Sequence, residues 1–160
     1  MKTRIVGIDP GSQITGYGII DVSGNKYTYV DSGIIRTKKS TPAERLQTIF
    51  SGLQDILKLH TPTQAAIEQV FMKKNVQSAL VLGQARGVAL VALSLQGLSI
   101  AEYTARQVKK SVVGYGNAEK EQVQHMIRCL LNLQHTPTVD AADALAIAIC
   151  HAHSARITFK

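Results

Sequence analysis

Ile5-Val6-Gly7-Ile8-Asp9-Pro10-Gly11-Ser12 is the stretch whose reading decides the fold. Its start is apolar and largely β-branched, the composition of a buried strand. Asp9 closes the run, and Pro10-Gly11 turns the chain immediately after it. An aspartate at that place is held by a sheet while facing its rim, where a ligand can reach it. A carboxylate beside so apolar a run costs free energy unless a partner, commonly a cation, offsets it.

Outward from that strand, Ile14–Ile20 reads as a second strand, Ser23-Gly24-Asn25 as a turn, and Lys26–Arg36 as a third strand, so the chain opens with an antiparallel meander. Lys38, Lys39 and Ser40 form a polar loop. Thr41-Pro42-Ala43-Glu44 is a capping box with proline at the first helical position, and Leu46, Ile49, Phe50, Leu53, Ile56 and Leu57 follow at helical spacing. After the break at Thr61-Pro62-Thr63, Ala65–Val70 predicts a short central strand. Val76–Gln96 predicts a long helix, apolar around much of its circumference, in which Gly83, Ala85 and Gly87 leave room for close packing. Leu98–Tyr103 is a fifth strand; Thr104 caps a short basic helix; Asn117 caps another with Val123, Met126, Ile127, Leu130 and Leu131 inward; Val139–Ala155 is the last helix. No repeat or low-complexity segment interrupts this order. The pattern is one α/β domain over residues 1–160, a mixed five-stranded sheet with helices on both faces.

Composition fits a globular chain with a sizeable core: 160 residues, 45% hydrophobic and 18% charged. No apolar run reads as both long enough and free enough of polar residues to span a bilayer, and no secretory segment precedes the first strand, so a cytosolic protein without a membrane partner is expected. Cys129 and Cys150 read as reduced core thiols. The net charge of +7 favours polyanionic partners but is weak by itself.

Most of the 11 acidic residues stand in polar surroundings where solvation accounts for them: Asp21, Asp31, Glu44, Asp55, Glu119 and Glu121. Glu102 reads as a strand-end residue paired with a base such as Arg106. Four do not fit that description. Asp9 ends the first strand, Glu68 lies inside Ala65–Val70, and Asp140 and Asp143 open the last helix, sharing a face roughly 4–5 Å apart along its axis. Each alone admits a plainer role: Asp140 and Asp143 at the positive end of a helix dipole, Asp9 in an Asx-turn, Glu68 as a satisfied core acid. Four together would repel one another without cations. Hard oxygen ligands of this kind suit Mg²⁺ or Mn²⁺, and two such ions roughly 3.5–4 Å apart can activate a water and stabilise the leaving oxygen of a phosphodiester.

With these residues in view, Gly7-Ile8-Asp9-Pro10-Gly11-Ser12, Ala66-Ile67-Glu68-Gln69-Val70-Phe71, Gly83-Gln84-Ala85-Arg86-Gly87 and Asp140-Ala141-Ala142-Asp143-Ala144, in that order, resemble the motifs of the RuvC family of bacterial Holliday-junction resolvases. The resemblance covers nearly the whole chain. It implies a ribonuclease-H-like fold, a homodimer, and Mg²⁺-dependent nicking of two opposed strands of a four-way DNA junction in recombination and repair, in the bacterial cytoplasm at the nucleoid. It implies that Asp9, Glu68, Asp140 and Asp143 are the catalytic, metal-binding acids, with two ions per site. It further implies cooperation with a RuvA–RuvB branch-migration machine.

Phe71, a core aromatic on pattern alone, becomes by resemblance an exposed ring stacking on an unpaired base, a contact worth ~1–3 kcal/mol. Lys73 and Lys74 then lie on a basic loop entering the groove. Arg106, Lys109, Lys110 and Lys120 are candidate phosphate contacts, Lys109 and Lys120 matching family positions; a basic helix face is more often merely a solvated one. The helix N-terminus at Asn117 could also receive a phosphate. The Val76–Gln96 helix is either a buried central helix or, as the resemblance implies, the dimer interface. Cys150-His151-Ala152-His153 suggests zinc only superficially: two histidines two apart on a helix point apart, and His151 is roughly 12 Å from Asp143 along the axis. The competing classes are an actin-like ATPase, which needs a second phosphate hairpin and a second domain; a ribonuclease-H-like enzyme on RNA–DNA hybrids; and a non-catalytic junction-binding module.

Overall fold

The computed structural model describes residues 1–70 and 75–158. Its five strands are β1 (Thr3–Asp9), β2 (Ile14–Ser23), β3 (Lys26–Arg36), β4 (Gln64–Glu68) and β5 (Ser99–Tyr103), in the order β3-β2-β1-β4-β5. The β1–β2 and β2–β3 pairs are antiparallel; β1–β4 and β4–β5 are parallel. The five helices are α1 (Pro42–His60), α2 (Val76–Leu95), α3 (Ala105–Val113), α4 (Lys120–Leu130) and α5 (Val139–Thr158). The expected mixed five-stranded sheet with helices on both faces is what the chain forms.

Side chains alternate across a strand, and here the alternation sorts two cores. Val6, Ile8, Ile19, Ala65 and Ile67 face α1 and α2, where they meet Ile49, Leu53, Leu57, Ala89 and Leu93. Ile5, Ile20 and Ala66 face α5, with Val108, Val112, Val123 and Ile127 of α3 and α4 completing that side. Gly7, Gly16 and Gly18 also belong to the α5 face. A Cβ on Gly18 would stand 2.6 Å from the backbone nitrogen of Leu145, and one on Gly7 or Gly16 would overlap the carbonyl oxygens of Ala144 or Asp140. Gly7 and Gly18 are directly paired, as are Asp9 and Gly16. The missing side chains form a groove in which α5 lies against the sheet backbone. This explains how a helix with an all-round apolar sequence is almost wholly buried from Ala141 to Ala152.

α2 is different. Only Ala85, Ala89, Ala92 and Leu93 are buried, while Val76, Leu80, Val91 and Leu95 are exposed. A Cβ on Gly83 or Gly87 would meet nothing, so the room they leave is on the outer surface rather than inside the molecule. Contrary to expectation, α2 is long and apolar enough, by length and composition, to cross a membrane. Its buried alanines pack it onto the sheet as one wall of the core.

Other local expectations are corrected. Asp21 is buried rather than solvated, because β1 pairs it directly opposite Arg4; Arg4 Nε lies 2.8 Å and Lys2 Nζ 2.7 Å from its carboxylate, which these cations hold below the usual range. Cys129 is exposed, six residues round α4 from the inward Val123, whereas Cys150 is buried as expected. The α4 N-cap is Glu119, not Asn117; the Gln122 side chain reaches back to the Glu119 amide at 2.8 Å, and Asn117 is exposed in the preceding loop. Glu102 pairs with Arg86 of α2 at 2.8 Å, not with Arg106, since it shares a strand face with Ile100 and points away from α3. The ring nitrogens of His151 are engaged by the Tyr103 hydroxyl (2.9 Å) and the Gln64 side chain (3.1 Å).

Candidate active site

Two strand ends and one helix start bring the four singled-out acids together. β1 and β4 run parallel with Gly7 beside Ala66 and Ile8 beside Ile67. One residue further, Asp9 and Glu68 emerge at the same end of adjacent strands, both on the α5 face. Strands are spaced about 4.8 Å apart, so the two carboxyls are near enough for each to feel the other's charge. The β1–β2 turn leaves Asp9 free for this. It is closed instead by Thr15, whose hydroxyl donates to the Gly11 carbonyl at 2.9 Å.

α5 contributes the other pair. Its start is capped by Thr138, which accepts from the Ala141 amide at 3.4 Å through its hydroxyl and from the Ala142 amide at 2.8 Å through its carbonyl. Capping therefore does not consume Asp140. The glycine groove sets the height of this helix: Gly16, opposite Asp9, has the Asp140 backbone directly over it. With no side chain there, Asp140 and Asp143 drop to the level of the strand ends.

Asp9, Glu68, Asp140 and Asp143, with Lys109 and Lys120, line a cavity of ≈ 270 Å³. A larger cleft of ≈ 690 Å³ shares Asp9, Glu68 and Asp140 and extends along the β1–β2 turn toward the start of α2. Burial first, then the neighbouring charges of Glu68, Asp143 and Asp140, push the Asp9 carboxyl up to about 8. Burial and Asp143 raise Glu68; burial and Asp140 raise Asp143; Lys109 and Lys120 oppose both shifts. A cleft that makes an aspartic acid hold its proton near neutrality is a cleft short of positive charge. Among the described residues no three such groups already enclose a single point. The donor set nonetheless fits a hard divalent cation: four carboxylates, accessible from solvent, whose mutual repulsion a cation would relieve.

The basic residues divide. Lys109 follows Val108, which anchors α3 in the core, and so is turned toward the carboxylates. Lys120 is the first residue of α4, and α4 is tied to the start of α5 by a 3.0 Å hydrogen bond from Gln124 to the Pro137 carbonyl. Arg106 and Lys110 are exposed and do not line the carboxylate cavity; the Arg106 side chain lies over Gly116. Phe71, Lys73 and Lys74 lie outside the described residues. Asn75, just after them, caps α2 by accepting from the Gln77 amide at 3.0 Å.

Sequence reasoning missed Arg86. It is the only charged residue of α2. Its Nε donates to the backbone carbonyl of Glu68 at 3.2 Å, and a second guanidinium nitrogen pairs with Glu102. One side chain thereby fixes the ends of β4 and β5 to α2. The available signal was a lone arginine in a 20-residue apolar helix, which needs a buried acceptor to be tolerated.

The sequence profile of the family described as "Crossover junction endodeoxyribonuclease RuvC" matches residues 5–151. The chain is 61% identical over 150 residues to the crossover junction endodeoxyribonuclease RuvC of Acinetobacter baylyi, spanning 94% of this chain and 83% of that protein. It is 57% identical over 151 residues to the protein of the same name from Hahella chejuensis, spanning 94% and 88%. Among solved structures, T. thermophilus RuvC in complex with a Holliday junction substrate superposes with a TM-score of 0.90 at 34% identity, covering 98% of this chain and 96% of that one.

Proposed function

The chain belongs to the RuvC family of crossover junction endodeoxyribonucleases, and from that premise we propose that its four-carboxylate cleft is the phosphodiesterase centre and that Mg²⁺ is its cofactor, with Mn²⁺ able to substitute. The activity is that of a Holliday-junction resolvase: it cuts a four-way DNA junction. One observation carries the assignment of the site. Asp9, Glu68, Asp140 and Asp143 come from three separate segments and share one cavity with Lys109 and Lys120.

Asp9 feels all three other acids and would be the central ligand; Glu68, Asp140 and Asp143 would complete the set. Bound divalent ions supply an activated water and charge stabilisation of the leaving oxygen. Lys109 and Lys120 hold the anionic backbone against a cleft that would otherwise repel it, and their charge favours the ionised acids that ligation requires. Glu68 is positioned by Arg86 through its own carbonyl.

Two cuts on opposed strands call for two sites. The outer face of α2, with Val76, Leu80, Val91 and Leu95 exposed around the open Gly83 and Gly87, supports a twofold dimer through that helix. A RuvA–RuvB machine delivering the junction, in the cytoplasm, is the partner this reading assigns.

The test is cleavage of a labelled four-way junction, with linear duplex as control, in Mg²⁺ and in EDTA. The wild type is expected to place paired nicks on the junction alone. Asp140→Asn is expected to bind the junction with unchanged affinity while losing at least about 100-fold in cleavage rate, the scale of one transition-state electrostatic contact. Binding without cleavage by the wild type in either Mg²⁺ or Mn²⁺ would leave a junction-binding module instead.

A further inference from the structure

A second group of cations lies on the other side of the β1–β2 turn from Lys109 and Lys120. The segment from Arg36 to Arg45 holds four cations, Arg36, Lys38, Lys39 and Arg45, and one acid, Glu44. Glu44 is already occupied. Its carboxylate accepts from the Thr41 amide at 2.9 Å and from the Thr41 hydroxyl at 3.0 Å, which closes the N-terminus of α1. Among the described residues no carboxylate stands within ion-pair distance of any of the four cations. Arg36, Lys38 and Lys39 are exposed. Unpaired positive charge of this density attracts a polyanion more than it stabilises the fold.

The loop is also fixed in place. Thr37 donates through its amide to the Gln13 carbonyl at 2.9 Å and through its hydroxyl to the Ser12 carbonyl at 3.0 Å, and Arg36 pairs with Ile14 in the β2–β3 ladder. Arg36 and the loop that carries Lys38 and Lys39 are therefore anchored to the turn that follows Asp9, with Arg45 beside them at the start of α1. A pocket of ≈ 180 Å³ beside Lys38 and Lys39 shares Arg45 with a second pocket of ≈ 180 Å³ and Gln13 with the ≈ 690 Å³ cleft. Gln13 therefore borders both the carboxylate cleft and the pocket of the basic loop. At full extension Gln13 is within about 14 Å of Asp9, the length of about four base-pair steps.

We propose that Arg36, Lys38, Lys39 and Arg45 form a second phosphate-contact surface, which grips the duplex DNA arm leaving the cleft on the side opposite Lys109 and Lys120. This rests on the nuclease reading above. Its contacts are with the backbone, so it contributes affinity and orientation without reading bases.

The test is junction binding by the full chain in EDTA, measured by fluorescence anisotropy between 50 and 200 mM salt on the scale where counterion release is read. Lys38→Gln/Lys39→Gln is compared with Lys26→Gln/Lys58→Gln, which removes equal charge at the distant β2–β3 turn and the last turn of α1. Each lost phosphate contact lowers the slope of log K against log[salt] by about 0.9. The loop variant is expected to lose about 2 in slope and at least about tenfold in affinity at 100 mM salt, the control variant neither; adding Arg45→Gln should remove about one more. Coincident slopes for the two double variants would overturn the proposal. A wild type that binds junction no better than linear duplex would instead overturn the junction-resolvase reading on which it rests.

Discussion

α2 and α5 are both 20-residue helices, both apolar around most of their circumference, and they end in opposite situations. From Ala141 to Ala152 α5 is almost wholly enclosed by β1, β2, α3 and α4, with Asp143 open to the cleft; α2 is covered on one side and open on the other. Nothing within either helix dictates the difference. It lies in the sheet, where Gly7, Gly16 and Gly18 remove the side chains that would hold α5 away, whereas α2 packs over Ile8, Ile67 and other full-sized residues. A helix apolar on all sides states only that it needs cover. Whether its own chain or a second copy supplies that cover is written in the elements it meets.

The largest effect is expected at the glycines beneath α5. Gly7→Ala places a methyl group into the Ala144 and Ala148 backbone of α5. It should cost more than about 3 kcal/mol in denaturant unfolding, since backbone cannot yield as a side-chain tip can. If Gly7→Ala unfolds with the wild-type midpoint, α5 does not owe its depth to the groove.

An intermediate effect concerns the acids that the groove allows α5 to bring down. The Asp9 carboxyl titrates in the folded, metal-free protein at about 8, well above its ordinary value near 4. A raised pKa contributes stability that is fully present below about pH 4 and is lost as pH rises toward 8. Asp9→Asn should therefore stabilise the metal-free protein at pH 8 by at least about 1 kcal/mol, raising Tm by about 2–4 °C, and the gain should shrink by pH 5. Saturating Mg²⁺ should raise the wild-type Tm and leave the variant nearly unmoved. Thermal melts at the two pH values, with and without Mg²⁺, check both statements.

The smallest effect on folding is expected on α2. Gly87→Ala meets nothing within the protomer and replaces a poor helix former, so it should stabilise the isolated protomer by about 0.5–1 kcal/mol. The same methyl group stands on the face assigned to the second copy, so sedimentation should show weaker self-association. Equal dimer affinity for the variant and the wild type would place the contact elsewhere.

Much of this was legible in the order of residues. The β-branched run ending in Asp9, the capping box at Thr41, and the pair Asp140 and Asp143 at a helix start each follow from local chemistry, and each is where it was expected. What was not legible depends on registry between distant segments. Asp21 looks solvated until β1 sets Arg4 opposite it. Glu102 has Arg106 near in sequence, but strand alternation sends it to Arg86. Cys129 and Asn117 were misplaced because an apolar pattern gives a helix its axis more firmly than its rotation or its first residue. Among the basic residues, composition could not separate Lys109 and Lys120, which share the carboxylate cavity, from Arg106 and Lys110, which do not.

The depth of α5 has a consequence in time as well as in space. Strands and helices up to Leu130 can form in the order in which the chain is made, but they include only Asp9 and Glu68 of the four acids, and one of the two cores lacks its central helix. α5 follows every other element of the fold. Domains mature as their chain emerges, so the step that closes the second core is also the step that completes the carboxylate set. A nascent chain short of residue 139 is at once unfinished as a protein and without two of the four acids of its cleft, so the cleft is completed only in molecules whose second core has closed.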